Sequence, residues 1–267
     1  ADMDENDWAR LLESFPELSG LYPALVVSVQ EKSLTAYTLA AGLLTIEWEG
    51  LAWARRYLTE NSRGPAPKLA EEIAKAGDII RVIKNPEGQW LLSQIPDIEG
   101  ALVSLRPSDG AIMALTGGFD FTRSKFNRVI QAYRQPGSGF KPFIYSAALA
   151  AGYSPASLIN DAPVVFEDPG LEDVWRPENY TRKTYGPTRL REALTNSRNL
   201  VSIRLLHAIG MPYALDYAAR FGFEVERLPK NLSLALGSGA VTPLQLARAY
   251  SVFANGGYLI DPYIMQR

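Results

Sequence analysis

The sequence predicts an α+β protein in which helices pack on an antiparallel sheet, preceded by a smaller all-β region. Between residues 22 and 95, short apolar runs with partial alternation are separated by turn-forming residues, as in antiparallel strands. From residue 97 onward, one apolar hairpin is followed by stretches with helical patterning. We therefore expect a linker at 1–20, a β domain at 21–96 and an α+β domain at 97–267.

The β domain is predicted from five runs: "ALVVSV", "SLTAYTL", "LLTIEWEG", "DIIRVIKN" and "QWLLSQI". Between the third and the fourth, "NSRGPAPKLAEEIAKAG" predicts a loop and one short helix that Gly77 ends. Five strands and one helix fit a small barrel of the oligonucleotide/oligosaccharide-binding (OB) type.

The α+β domain is predicted to open with a hairpin in "GALVSLRPSDGAIMALTGG", whose turn is Pro107 to Gly110. Helices are predicted at 139–151, 188–196, 199–209, 212–221 and 242–255. Only one hairpin of a sheet accompanies these helices, so we expect the sheet to be incomplete.

Composition excludes several classes of protein and of chemistry. A hydrophobic content of 47% with 21% charged residues is typical of a globular protein. The net charge of −2 and the scattered basic residues disfavour nucleic acid as a partner. The absence of cysteine excludes disulfides and cysteine nucleophiles, and the acidic residues show no metal-site spacing, so we expect neither a metal nor a cofactor. The apolar stretches are about half of the roughly 20 residues that cross a bilayer.

Ser138 and Lys141 in "GSGFKPF" are a candidate catalytic pair. If a helix begins at or just after Ser138, the spacing places both side chains on one face, one turn apart. A lysine whose pKa is lowered by apolar surroundings can accept the proton of a serine hydroxyl, and a helix N-terminus favours developing negative charge. Taken alone, the same two residues also fit a helix cap followed by a solvated lysine.

Ser197 and Asn199 in "LTNSRNLVSIRLL" are a second candidate pair. From a turn between helices they can present a hydroxyl and a carboxamide to one cleft, Ser197 as a proton relay and Asn199 as a hydrogen-bond partner of Lys141. Taken alone, these residues also fit the start of a helix. The single histidine, His207, excludes mechanisms that need two imidazoles.

Together, and with their surroundings, these motifs resemble one family. The stretches that carry the likeness are "QIPDIEGALVSLRPSDGAIMALTGGFDFTRSKFNRVIQAYRQPGSGFKPFIYSAAL", "WRPENY", "YGPTRLREALTNSRNLVSIRLL" and "LALGSGAVTPLQLARAYSVFANGG". Over roughly residues 20–267 the sequence resembles the class A penicillin-binding proteins of the 1a type, which are bifunctional cell-wall synthases. The resemblance implies a serine transpeptidase fold related to the β-lactamases, with an OB-type insert before it.

The resemblance also implies a role for each residue of the two pairs. Ser138 would be acylated by the penultimate D-alanine of a peptidoglycan stem peptide, and Lys141 would take the serine proton. Ser197 would pass a proton to the leaving amine, and Asn199 would hold Lys141 and the substrate. An amino group of a second stem peptide would then form the cross-link, whereas a β-lactam would block the serine.

Three further positions are weaker candidates for substrate binding. Gly139 stands where the family usually has a second serine, in "GSSFK", and the spacing from Ser138 to Lys141 is kept. Trp175 and Tyr180 in "WRPENY" could line the cleft, although aromatic residues in connections are more often packing anchors.

One motif of the family, KTG, does not occur, since the sequence ends at "LIDPYIMQR". We expect the missing wall of the site to come from a further piece of the protein or from a partner chain. Nothing here resembles the glycosyltransferase domain of the family. The resemblance implies the periplasmic side of the bacterial inner membrane, with an anchor outside this chain, and a cell-wall regulatory protein as a partner of 21–96.

Two alternatives to a transpeptidase stay open from the residues. In a D,D-carboxypeptidase or a β-lactamase, water would take the acyl group from the same serine. In a non-catalytic module, the β domain would bind a partner protein or a glycan strand.

Overall fold

The computed structural model describes residues 4–163, 165 and 175–265. They form two compact units, which are described separately. The first runs to Glu99 and takes in Phe119–Lys125, and the second holds Gly100–Gly118 and continues from Phe126. Within the described residues, none of the helices has the length and apolar character needed to cross a membrane.

The first unit is a curled antiparallel sheet with short helices. Its elements are α1 (Glu5–Leu12), β1 (Tyr22–Val29), β2 (Ser33–Thr38), β3 (Gly42–Glu47), α2 (Trp48–Leu51), β4 (Tyr57–Thr59), β5 (Ser62–Arg63), β6 (Ile79–Lys84) and β7 (Trp90–Ser93). Five of the strands form one sheet in the order β3-β2-β1-β6-β7, and the two outer strands also approach each other. Leu34, Ile46 and Val82 of these strands are fully buried in the core of this unit. The five predicted strands are thereby confirmed.

The short helix predicted before Gly77 is wrong. The stretch contains only a 3-10 turn, Ala70–Glu72. Gly77 does have the expected positive φ, of 93°, but its N–H donates to the carbonyl of Val26 on β1 at 2.8 Å. This segment therefore pairs with the sheet at Gly77, which leaves too few residues for a longer helix. A helix as short as this is not stable by itself.

The segment assigned to a linker contains helix α1. Asp4 caps it by accepting from the backbone N–H groups of Asn6 and Asp7, at 2.9 and 3.0 Å. Trp8 packs against Tyr37 of β2 with 5.5 Å between ring centroids. The acidic cluster at the start of the sequence thus serves as a helix cap, which favours negative charge at this end.

The second unit consists of two antiparallel strand pairs and six α-helices within its described residues. Its elements are β8 (Leu102–Leu105), β9 (Ile112–Thr116), α3 (Arg128–Gln131), α4 (Lys141–Ala150), β10 (Leu158–Asp161), β11 (Gly186–Arg189), α5 (Leu190–Thr195), α6 (Asn199–Ile209), α7 (Met211–Ala219) and α8 (Pro243–Ala254). The β8–β9 hairpin and all five predicted helices are present, with boundaries shifted by up to two residues. The pair β10–β11 was not predicted, because "GPTR" has no apolar alternation.

Helix α4 lies at the centre of this unit. Phe143 is buried, and its ring lies 5.0 Å from Phe221, 4.9 Å from Phe223, 5.2 Å from Tyr250 and 5.4 Å from Phe253, centroid to centroid. Aromatic contacts of this kind add to the free energy gained from burial. The start of α4 is therefore held firmly in the core.

Candidate active site

The serine–lysine pair lies where a 3-10 turn, Gly137–Phe140, passes into α4. Side chains three residues apart are eclipsed in a 3-10 turn, so Ser138 and Lys141 lie on one side of the chain, as predicted. Ser138 is exposed, and within the described part of the chain its hydroxyl makes no hydrogen bond. The hydroxyl therefore faces outward from the start of α4, open to a ligand.

Lys141 is buried to 1% exposure, and its Nζ is bound by the second pair. It donates to the carbonyl oxygen of Ser197 at 2.7 Å, to the Ser197 Oγ at 2.9 Å and to the Oδ1 of Asn199 at 2.7 Å. The structure thus brings Lys141, Ser197 and Asn199 together, although 56 residues separate the first two in sequence.

The pKa of Lys141 is lowered from 10.5 to about 8, because burial disfavours the ammonium ion. All three of its acceptors are uncharged, and none is a carboxylate that would restore the pKa. With such a pKa, about one molecule in ten carries the neutral amine at pH 7. Lys141 can therefore serve as a proton acceptor.

Ser197 adopts a backbone conformation that is rare for a residue with a side chain. Its φ is 52°, in the left-handed region, and it follows Asn196, the residue that caps the end of α5. This conformation costs about 1–2 kcal/mol for a residue other than glycine. In return, the carbonyl and the hydroxyl of this one residue both reach Lys141. Strain of this kind clusters at functional sites.

Asn199 is the first residue of α6, and both ends of its carboxamide are bound. Oδ1 accepts from Lys141, and Nδ2 donates to the carbonyl of Glu178 at 2.9 Å. The Asn199 N–H donates to Oδ1 of Asn179 at 2.8 Å. Sequence reasoning missed Asn179, although it lies in the quoted "WRPENY" between the two aromatic residues that were singled out.

The three weaker candidates differ in their surroundings. Trp175 is half-buried and packs against the core of the second unit, whereas Tyr180 is fully exposed. A Cβ added at Gly139 would have only the Tyr250 hydroxyl within 4 Å, at 3.9 Å, so the serine that is usual in the family fits here. A role in substrate binding stays a prediction for all three.

The 3-10 turn that carries Ser138 packs closely against the "LGSG" loop, because Gly137 and Gly237 have no side chains to separate them. The Gly137 N–H donates to the carbonyl of Gly237 at 3.2 Å. A Cβ on Gly237 would lie 1.9 Å from the carbonyl oxygen of Gly137, and the φ of Gly237 is +71°. Only glycine fits there, so the backbone of this loop sets the position of the turn that carries Ser138.

The described residues contain no group of three or more histidine, aspartate or glutamate side chains that could hold a metal ion. The groups in contact at this site are instead an amine, a hydroxyl and a carboxamide, and the hydroxyl of Ser138 belongs to the 3-10 turn just before the amine. Such a set suits nucleophilic catalysis in which a lysine activates a serine.

Comparison with known families agrees with this site. Residues 1–98 match the family described as the penicillin-binding protein OB-like domain, and residues 100–267 match the penicillin binding protein transpeptidase domain. The second match spans more than half of the chain, so this chain belongs to the penicillin-binding protein transpeptidase family. Within that family it is of the 1A type, as its relatives indicate. The family and the α+β fold predicted from the sequence are both confirmed.

The relatives cover almost all of this chain. Penicillin-binding protein 1A of Pseudomonas aeruginosa is 49% identical over 260 residues, which are 97% of this chain and 32% of the relative. That of Escherichia coli is 41% identical over 264 residues, which are 99% of this chain and 31% of the relative. The chain thus spans about a third of the length of these curated relatives.

Solved structures have the same fold. The crystal structure of penicillin-binding protein 1A from Haemophilus influenzae matches with a TM-score of 0.82 at 35% identity, over 100% of this chain and 38% of that chain. The PonA1 protein from Mycobacterium tuberculosis in complex with penicillin V matches with a TM-score of 0.54 at 25% identity, over 62% of this chain and 47% of that chain.

Replacing Gly237 by alanine tests the close approach to Gly137. Gly186 is the matched control, because it has the same φ of +71° and open space around an added Cβ. We expect Gly186→Ala to lower the free energy of unfolding by about 1–2 kcal/mol through backbone strain alone. Gly237→Ala should cost a further 1–3 kcal/mol or so through the clash. Equal losses in denaturant unfolding of the two variants would contradict this account.

The lowered pKa of Lys141 predicts a pH-dependent stability that Lys141→Met abolishes. Between pH 8 and 10.5 the unfolded chain binds a proton at this lysine and the folded protein does not. Stability of the wild-type protein relative to the variant should therefore rise with pH across this window, by up to about 3 kcal/mol. Denaturant unfolding at a series of pH values measures the difference, and parallel curves would show that the lysine is not desolvated.

Proposed function

We propose that the second unit is the acylating part of a peptidoglycan D,D-transpeptidase, with Ser138 as the nucleophile. The observation that carries the proposal is the buried Lys141, with a pKa of about 8 and uncharged acceptors only, one 3-10 turn after an exposed serine. An unprotonated lysine is the base that such a serine needs. Membership of the transpeptidase family supports the reaction type.

In the first half of the reaction, Lys141 Nζ takes the proton of Ser138 Oγ as that oxygen attacks the carbonyl of the penultimate D-alanine. A bond forms between Oγ and the carbonyl carbon, and the bond from that carbon to the nitrogen of the terminal D-alanine breaks. Ser197 Oγ, within 2.9 Å of Lys141 Nζ, relays the proton to the leaving amine. The terminal D-alanine departs and leaves the acyl group on Ser138.

In the second half, the amino group of a neighbouring stem peptide attacks the acyl-enzyme. A bond forms between the amine nitrogen and the carbonyl carbon, and the ester bond from that carbon to Ser138 Oγ breaks. The proton lost by the amine returns to Oγ through Lys141, and the new amide is the cross-link. Asn199 holds Lys141 in place through Oδ1 throughout. A β-lactam imitates the D-Ala-D-Ala end and would remain on the serine, and the PonA1 protein of similar fold has been solved in complex with penicillin V.

The resemblance to the family supports the setting that we propose for this function. We place the protein on the periplasmic side of the inner membrane, with stem peptides and β-lactams as ligands. The proposed domain limits are 21–96 for the OB-like domain and 97–267 for the transpeptidase domain. The OB-like domain is the proposed contact for a cell-wall regulatory protein.

Labelling of the full-length natural protein with a fluorescent penicillin tests the nucleophile. We expect Ser138→Ala to abolish the label, whereas Ser154→Ala, an exposed serine of the same unit, should label like the wild type. A label that persists in Ser138→Ala would remove Ser138 from its role. In a separate experiment, product analysis with stem peptides distinguishes cross-linking from hydrolysis. Hydrolysis alone would favour a D,D-carboxypeptidase.

The pKa of Lys141 predicts how acylation depends on pH. Only the neutral amine accepts the serine proton, so the acylation rate should rise with pH and level off above about 8. Stopped-flow labelling with penicillin between pH 5.5 and 9.5 or so covers this range. A rate that is constant across it would contradict a general base with this pKa.

A further inference from the structure

A buried polar pair lies beside the site, and the proposed mechanism does not use it. Asp161, at the end of β10, is 0% exposed, and Asn179 is 5% exposed. The Asn179 Nδ2 donates to both carboxylate oxygens of Asp161, at 2.8 and 3.0 Å, and to the carbonyl of Lys183 at 2.9 Å. Burying a carboxylate and a carboxamide is costly unless they are bound in this way, so the pair calls for an explanation.

The other end of Asn179 holds the start of α6. The residue before this helix, Arg198, makes no capping bond with its side chain. Asn179 Oδ1 accepts instead from the N–H groups of Asn199 at 2.8 Å and Leu200 at 3.4 Å. A cap satisfies N–H groups that have no partner within the helix. Here the cap comes from a connection 20 residues earlier in the chain.

The order of donors and acceptors decides which way each carboxamide faces. The Asp161 carboxylate can only accept, so it requires the NH2 of Asn179 on its side and leaves Oδ1 towards α6. The carbonyl of Glu178 likewise accepts from Nδ2 of Asn199 and leaves Oδ1 of Asn199 towards Lys141. Were Asn199 reversed, its NH2 would oppose the lysine, and one acceptor of Nζ would be lost.

We propose that Asp161 and Asn179 are positioning residues of the transpeptidase site, which fix Asn199 at the start of α6 with its acceptor oxygen on Lys141. This inference rests on the proposed function and adds two residues to it. Neither touches the reacting atoms. They orient Asn199, and Asn199 in turn fixes the position of Lys141, which takes the serine proton.

A charge swap tests the inference. Asn179→Asp keeps an acceptor for the α6 N–H groups but sets two carboxylates against each other. The swapped variant, Asn179→Asp with Asp161→Asn, restores a donor opposite an acceptor. Asn127→Asp is the matched control, because Asn127 Oδ1 caps α3 by the same bond, 3.0 Å from the Val129 N–H. All variants are made in the full-length natural protein.

The readout is the kinetics of penicillin acylation, measured only on folded protein, with noncovalent affinity and acylation rate determined separately. We expect Asn179→Asp to slow acylation about 10- to 100-fold at little changed affinity, since misplacement of about 1 Å costs rates of this order. The swap should recover a large part of the loss, and Asn127→Asp should acylate like the wild type. A loss of folded protein alone would not produce this pattern.

Several outcomes would overturn the inference. Wild-type acylation by Asn179→Asp, with Ser138→Ala unlabelled, would reject the positioning role and leave the proposed function standing. A swapped variant no faster than the product of the two single losses would show that the pair does not act as a unit. Should Asn179→Asp fail to fold, Asp161→Asn and the swap decide. In Asp161→Asn, the side chain at position 161 still offers an acceptor to the NH2 of Asn179, and in the swap it offers a donor to the carboxylate at position 179. A label retained by Ser138→Ala would reject both proposals together.

Discussion

The desolvated amine of Lys141 is the constraint on which the second unit depends. Burial disfavours its charged form, and it donates its three hydrogen bonds to oxygens without charge. To keep an amine there, α4 and α6 must pack closely enough to exclude water, which the buried residues of both helices achieve. The turn at Ser197 must also hold a strained conformation. The chemistry and the core of this unit thus share the same contacts.

The parts of the structure that follow from local patterning were predictable from the sequence. The five long strands have apolar alternation, and α6 begins at Asn199 and ends at Ile209 as its pattern and the following Gly210 indicate. The helix predicted before Gly77 failed because the N–H of this glycine is captured by β1, a partner distant in sequence. Propensity could not show that tertiary contact.

In the candidate site, too, the features set by local pattern were predictable and those set by tertiary contacts were not. The spacings of Ser138 to Lys141 and of Ser197 to Asn199 are visible as motifs, and the structure brings three of these four side chains into direct contact. Asn179 escaped notice because an asparagine in an irregular connection is unremarkable by itself. Its importance arises only when β10 and α6 are brought to either side of it, and composition or spacing does not encode that.

Several contacts of this site are made by main chain: the Ser197 carbonyl accepts from Lys141, the Glu178 carbonyl accepts from Asn199, and the backbones of Gly137 and Gly237 are paired. A point mutation exchanges a side chain and leaves the carbonyl behind it in place. Single substitutions at Ser197 or Glu178 would therefore leave the main-chain acceptors of Lys141 and Asn199 in place, so the tolerance of these two contacts to mutation is a property of the backbone.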